Sequence, residues 1–413
     1  MNIVLEPNTP HAIIAKIFVC VIIFASVLYW PLSYFIPLFG EYYYPFLAVV
    51  AFVIICSLRF PIDARLFAIV SFGIYMSVVS LIGVGVSGNA RHAVQIVSYL
   101  LLPLSIFIAG YNCSGSVVKN CLVALIIVMT GFVLLERIEF WFGVDAFGLV
   151  DFSSKMKIAF INNMMHLSYS RATGLLVNPN QLGFFAGCAL FSFLALSKPP
   201  VGVHALAICA ACVIVVILSG SRGSLAALAA GTISYMLVGR SAKLLFALGS
   251  ATFITIALLQ IVPDGPSNID VFVDRLSGGF NIDDTSVTAR FSFWSNILAN
   301  HSVLTGTLAP PELVLGHAID SFYIRALAQG GIIGLGLSLV CLTLPLRGYR
   351  QLSIKQMRAA LWALSVFIIV NSFSMLGLIG LESVFTWAVL GQISRQISHG
   401  GLVPIKGTHF VSS

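Results

Sequence analysis

Residues 120–141 read NCLVALIIVMTGFVLLERIEFW. From Cys121 to Leu135 there is no acidic or basic side chain, and the first such groups come at Glu136 and Arg137. A helix that crosses a bilayer needs about 20 mostly apolar residues, which this stretch supplies. Hydrocarbon offers no partner to backbone N–H and C=O groups, so a spanning chain is either helical or a closed barrel. Barrel strands alternate apolar and polar residues over roughly ten positions, whereas this run is unbroken. The stretch reads as a membrane helix.

Eleven other stretches have the same character: 17–39, 42–58, 66–86, 93–110, 175–197, 203–219, 225–239, 244–262, 321–345, 359–379 and 383–396. Those from 203 to 262 are short and closely spaced, and 383–396 is the weakest. The stretch at 17–39 is too long and bulky for a cleaved signal, and no small-x-small site follows it, so it is expected to be retained. The expected fold is an all-α polytopic membrane protein with about 12 transmembrane helices. Composition agrees. Of 413 residues 59% are hydrophobic and only 9% charged, with a mean hydropathy of +1.00, where soluble proteins carry about 25% charged residues. So few charges exclude a soluble enzyme, a disordered chain and a nucleic-acid binder, despite the net charge of +7.

Lys and Arg favour the cytoplasmic side of short connections. With the N-terminus inside, the inner segments hold 13 of the 22 basic residues, among them Arg59, Arg65, Arg347, Arg350 and Arg395, and only Glu6 and Asp63 as acids. The remaining nine basic residues and 13 acids fall outside. Both termini are therefore expected in the cytoplasm, and the basic excess is a topology signal. The eight cysteines lie in spans or at their edges, with none in the long outer loop, so no disulfide framework is indicated. Cys209 and Cys212 have CxxC spacing inside an apolar span and read as buried small hydrophobes.

Two sizeable outer segments are expected, 142–174 and a large loop at 263–320. Within the second, Ser286 to Leu304 places Phe291, Trp294, Ile297 and Leu298 on one helical face, an amphipathic helix for the outer interface. Ser154 to Tyr169 is a second, weaker candidate of that kind.

Charged residues beside a membrane span are costly and mark candidate function. Ser219-Gly-Ser-Arg222-Gly-Ser224 turns between two spans and opens a helix whose N–H groups suit an anion, with Arg222 adding a fork of donors. Arginine reaching lipid headgroups is the other reading. Arg171 precedes Asn178-Pro179-Asn180-Gln181, in which the asparagines cap the next helix and Pro179 sits in its first turn. Arg290 begins the amphipathic helix, where an ion pair with Asp283 or Asp284 is the plain alternative. His317, Asp320, Tyr323 and Arg325 lead into another span, with Asp320 and Ser321 also candidate caps. A helical first turn would bring His317, Asp320 and Tyr323 to one side. Arg91 follows the third span, and Glu136, Arg137 and Glu139 form a cluster able to satisfy itself. Arg91, Arg171, Arg222, Arg290 and Arg325 thus all face outward, and arginine suits phosphate oxygens. No Walker loop, Rossmann glycine fingerprint, HExxH or spaced Cys/His set occurs, so neither cofactor nor metal is expected. A lipid-linked phosphate met from the outer leaflet fits this pattern.

The motifs Arg171-x-x-Gly…Asn178-Pro-Asn180, Ser219-Gly-Ser-Arg222-Gly, Arg290-x-x-x-Trp294 and Asp320-Ser-x-Tyr323 before Gly-Gly-Ile-Ile-Gly resemble the O-antigen polymerase/O-antigen ligase superfamily of bacterial inner-membrane glycosyltransferases. The resemblance covers roughly 170–340 by motif and the remainder by span count and loop layout. It implies a GT-C-like bundle with a large periplasmic loop. It also implies a metal-independent, inverting transfer of glycan from undecaprenyl diphosphate to an acceptor hydroxyl. By that resemblance Arg222 and Arg290 hold the diphosphate, and His317 or Asp320 takes the acceptor's proton. Arg91, Arg171, Asn180, Tyr323 and Arg325 would bind substrate. Ligases of the superfamily show a His-Asn pair where this chain has Ile319-Asp320, which favours a polymerase. The partners implied are the lipid-linked donor and acceptor in the bilayer of the inner membrane, with no nucleic acid. Whether a chain-length regulator binds is left open, as is the sugar. A ligase acting on the lipid A core and a secondary transporter are the competing readings. The long segment at 263–320 does not divide the spans six and six, which counts against transport.

Overall fold

The computed structural model describes residues 10–61, 63–88, 94–142, 144, 146–160, 171–176, 178–197, 202–239, 249, 285–300, 302–308, 319, 321–352, 354–373 and 380–400. Among them every long regular element is an α-helix. In chain order these are α1 (Pro10–Val27), α2 (Tyr29–Phe35), α3 (Pro37–Ser57), α4 (Ala64–Ser87), α5 (Val94–Asn112), α6 (Gly115–Phe142) and α7 (Leu149–Phe160). They continue as α8 (Pro179–Leu196), α9 (Val203–Leu218), α10 (Arg222–Gly239), α11 (Thr285–Asn300), α12 (Phe322–Leu342), α13 (Lys355–Asn371) and α14 (Val384–Gly400).

Seven of these helices, α1, α3, α4, α5, α6, α8 and α12, are long and apolar enough to cross a membrane, as expected of an all-α membrane protein. α9 is apolar but has 16 residues, and α13 and α14 have 17 each. The expected stretch at 244–262 lies outside the described residues except Gly249. The stretch at 17–39 divides: α1 ends at Val27 and a short α2 follows. Pro31 has no N–H to give the Val27 carbonyl and its ring would collide with it, so a continuous helix is unfavourable there. α7 begins at Leu149 rather than Ser154, because the Glu139 carboxylate accepts from the N–H groups of Phe147, Leu149 (2.7 Å) and Val150 (3.2 Å).

The centre of the bundle is α8, with 15 of its 18 residues buried, against four of 21 in α3. Its Gly187 lets the Phe367 ring of α13 lie against the backbone, where a β-carbon would overlap it, and Phe184 stacks on the same ring at 5.9 Å. α5 and α14 approach through Gly110 and Gly391, each against backbone of the other helix, the small-residue contact typical of packed membrane helices. On α3, Phe46, Val49, Phe52 and Val53 are exposed, an apolar face suited to lipid.

Two helices are irregular. Val97–Leu101 of α5 is π-helical. α12 breaks at Gly331, whose φ of 62° and ψ of −161° no helix contains. There the Ala328 and Gln329 carbonyls accept from the N–H groups of Thr307 (2.6 Å) and Leu308 (3.1 Å) in the preceding loop. Tyr75 donates to the Gly330 carbonyl at 2.6 Å.

Candidate functional site

Three of the motifs meet at one end of the bundle. Asn178 caps α8 by accepting from the Asn180 N–H at 2.8 Å, with Pro179 in the first turn. Arg171 lies just before this cap and is buried. Its guanidinium donates to Asn180 Oδ1 at 2.8 Å and to the Ser219 carbonyl at 3.0 Å. The Ala172 N–H donates to the Leu218 carbonyl at 3.0 Å. Arg171 therefore ties the start of α8 to the turn that precedes α10, where Gly220 takes φ +55°. Arg222 is the first residue of α10 and is half-buried. Two residues on, Ser224 accepts from Asn371 of α13 at 2.9 Å. The Ser372 carbonyl in turn accepts from the Phe322 N–H, the first residue of α12, at 2.9 Å.

The Arg171 loop is held from behind by Glu136, which is 1% exposed. It pairs with Arg137 at 3.1 Å and accepts from the Gly174 N–H at 3.0 Å. With Glu139 engaged at the start of α7, both carboxylates of this cluster are held by their own surroundings and serve as scaffold.

Ser321 caps α12 by accepting from the Ile324 N–H at 3.5 Å. The helix begins at Phe322. His317 and Asp320 lie outside the described residues, as does Arg91. Tyr323 donates to the Ile369 carbonyl at 2.7 Å and packs on Phe373 at 4.6 Å, which makes it a strut between α12 and α13. Arg290 sits in the second turn of α11. That helix meets α12 through Ile297, buried against Ile319 and Ala328, while Phe291 and Leu298 of the expected apolar face stay exposed.

Arg325 faces a pocket of about 180 Å³ walled by six elements. Trp30 of α2 and Tyr44 of α3 give aromatic surface, Gln95, Ser98 and Tyr99 come from α5, Gln181 from α8, and Gly380, Leu381 and Glu382 from the turn before α14. Arg325 donates to the Tyr99 hydroxyl at 3.2 Å, Tyr99 donates to Gln329 Oε1 at 3.2 Å, and Gln329 donates to Gln95 at 2.7 Å. This buried chain joins the π-helical part of α5 to the turn of α12 just before its break.

Glu382 is the residue that sequence reasoning passed over. It is 2% exposed, and its Oε1 has no hydrogen-bond partner, nor does Gln181 Oε1. Burial pushes the Glu382 carboxyl up to about 7, because losing water penalises its charged form. A β-carbon at Gly380 would overlap the carboxylate, so the glycine leaves it room. The available signal was scarcity: Glu382 is the sole acid after Asp320 in the sequence.

Among the described residues no group of three or more His, Cys, Asp or Glu converges. Chemically, the site offers cations and a helix N-terminus for an anion beside a pocket with two unmet acceptors and aromatic walls. Neither a family model nor a curated protein matches the chain.

Proposed function

We propose that the protein is a membrane glycosyltransferase that polymerises lipid-linked oligosaccharide repeat units, of O-antigen or a related surface polysaccharide. It would act at the periplasmic face of a bacterial inner membrane. In this reading the chain is a GT-C-like bundle of about 12 spans, some of them short. The carrying observation is that Arg171, the Arg222 turn and the start of α12, far apart in sequence, share one end of the bundle beside a polar pocket. Arginines and helix N–H groups held in place before reaction can neutralise the charge that develops on a departing lipid diphosphate. Arg222 and Arg290 take that role here, with Arg325 at the acceptor side.

The test is mutational. Arg222→Ala or Arg290→Ala should leave the protein inserted while cells carry only single-repeat lipopolysaccharide on gels; normal ladders from both would overturn the reading. A ligase would instead accumulate polymerised glycan on the lipid carrier when the chain is deleted. The break in α12 opposite the π-helical stretch of α5 favours a second reading, a transporter, since interrupted helices build transport sites. Deletion would then abolish solute flux and leave repeat-unit polymerisation intact.

A further inference from the structure

The pocket beside Arg325 has a composition that the anion-binding arginines do not explain. Two of its lining residues, Glu382 and Gln181, each hold a buried side-chain oxygen without a hydrogen-bond partner. A buried acceptor left unpaired is costly, by about 1–3 kcal/mol for a neutral group and more for a charged one. A ligand that donates O–H groups would satisfy both. A phosphate would not, because it brings acceptors against a carboxylate. Trp30 and Tyr44 add aromatic faces, and Gln95 and Ser98 add groups that both donate and accept. Hydroxyl donors over an apolar ring face describe a sugar. Gln181 follows Asn180, which is bonded to Arg171, so a sugar in the pocket lies next to the proposed diphosphate site.

We infer that this pocket receives the acceptor sugar of the transfer and that Glu382 takes the proton of its attacking hydroxyl. The inference rests on the glycosyltransferase reading above. The acceptor O–H breaks, its proton passes to a Glu382 oxygen, and the acceptor oxygen bonds to the donor's anomeric carbon. The bond from that carbon to the diphosphate breaks with its electron pair, and the lipid diphosphate leaves. Arg325 stands across the pocket from the carboxylate. Among the described residues, the charged or titratable groups facing Glu382 are Tyr44 on α3, Tyr99 on α5, Cys188 on α8 and Arg325 on α12.

The experiment uses the full chain in liposomes, with undecaprenyl-diphosphate-linked repeat units isolated from cells deleted for it. Glu382→Gln should lower turnover about 10²- to 10⁴-fold, the usual contribution of a proton-transferring side chain, and Glu382→Asp should restore part of it. Wild-type activity should rise with pH along a limb near 7, and the residual Glu382→Gln activity should lack that limb. Gln181→Leu should raise the acceptor KM at least tenfold with little change in kcat. Glu382→Gln activity within threefold of wild type, or a limb that survives there and vanishes in Asp320→Asn or His317→Ala, would overturn the assignment. A wild type inactive on these lipids would count against the polymerase reading. The pocket is then judged by binding alone: the free repeat-unit oligosaccharide should quench fluorescence in wild type but not in Trp30→Phe, and absence of saturable quenching would overturn the sugar site.

Discussion

Arg65 and Glu382 are both charged side chains buried in an apolar bundle, at 1% and 2% exposure, and their surroundings treat them in opposite ways. Arg65 lies in the first turn of α4, at the end of the bundle away from the pocket. It pairs with Asp63 at 2.9 Å and donates to the Ser394 hydroxyl at 3.1 Å, the Leu344 carbonyl at 3.3 Å and the Arg347 carbonyl. Ser394 also donates to Asp63. The guanidinium thus joins α4, α14 and the turn after α12 in a closed set of partners. Glu382 has a cavity, a distant cation and an oxygen with no partner. The same desolvation is offset locally in one case and left for a ligand to offset in the other. A saturated buried charge organises a fold, whereas an unsaturated one is available to chemistry.

The largest expected effect breaks the saturated end. Arg65→Met leaves Asp63 and two carbonyls without their donor and should destabilise the fold by about 3–5 kcal/mol, the range for removing one partner of a buried ion pair. Thermal unfolding in detergent measures it. Glu382→Gln should leave stability unchanged or higher, since it deletes an uncompensated charge. Equal losses in the two variants would erase the distinction between the ends.

The next effect separates them by pH. Burial raises the Asp63 carboxyl, but the Ser394 hydroxyl and the Arg65 guanidinium outweigh it and hold the group below its ordinary value. It therefore contributes stability above the ordinary carboxylate range that is lost as pH falls through that lowered value. Glu382 has the opposite sign. Its carboxyl, moved from 4.5 up to about 7, keeps a proton in the folded state that the unfolded chain has released. Between those values stability should fall as pH rises, by on the order of 3 kcal/mol in total. Thermal unfolding from pH 4.5 to 7.5 should show that fall in wild type and a flatter profile in Glu382→Gln. An unchanged slope would remove Glu382 as the raised group.

Much of this was legible in the residues. Apolar runs located the seven membrane-length helices, Asn178-Pro179 marked the start of α8, and Ser321 marked that of α12, because each signal is local. Pro31 carried the division of the first run, yet apolarity alone concealed it. The site was only half legible. Arginines outside the basic inner loops expected from the sequence stood out, but the bond from Arg171 to Ser219 spans 48 residues and depends on how α8, α9 and α10 pack. Glu382 beside a weak span read as a helix boundary. Its meaning comes from burial by α3, α5, α8 and α12, which no local pattern encodes.

The smallest effects test whether strain also belongs to the pocket end, and α12 contains its own control. Gly331 occupies a backbone region reserved for glycine, and a β-carbon there would overlap the Leu304 carbonyl. Gly331→Ala should cost at least about 1–3 kcal/mol, the price of such a conformation in any other residue. It should also shift Gln329 and thereby loosen the chain from Gln95 to Arg325. Gly336 lies five residues on in regular helix, exposed and with nothing within 4 Å of a β-carbon. Gly336→Ala should stabilise by about 0.5–1 kcal/mol through lost backbone freedom in the unfolded chain. Opposite signs in thermal unfolding would place the strain at the break beneath the pocket. Matching gains would mean that α12 can run straight through Gly331, and that Thr307 and Leu308 follow the break rather than hold it.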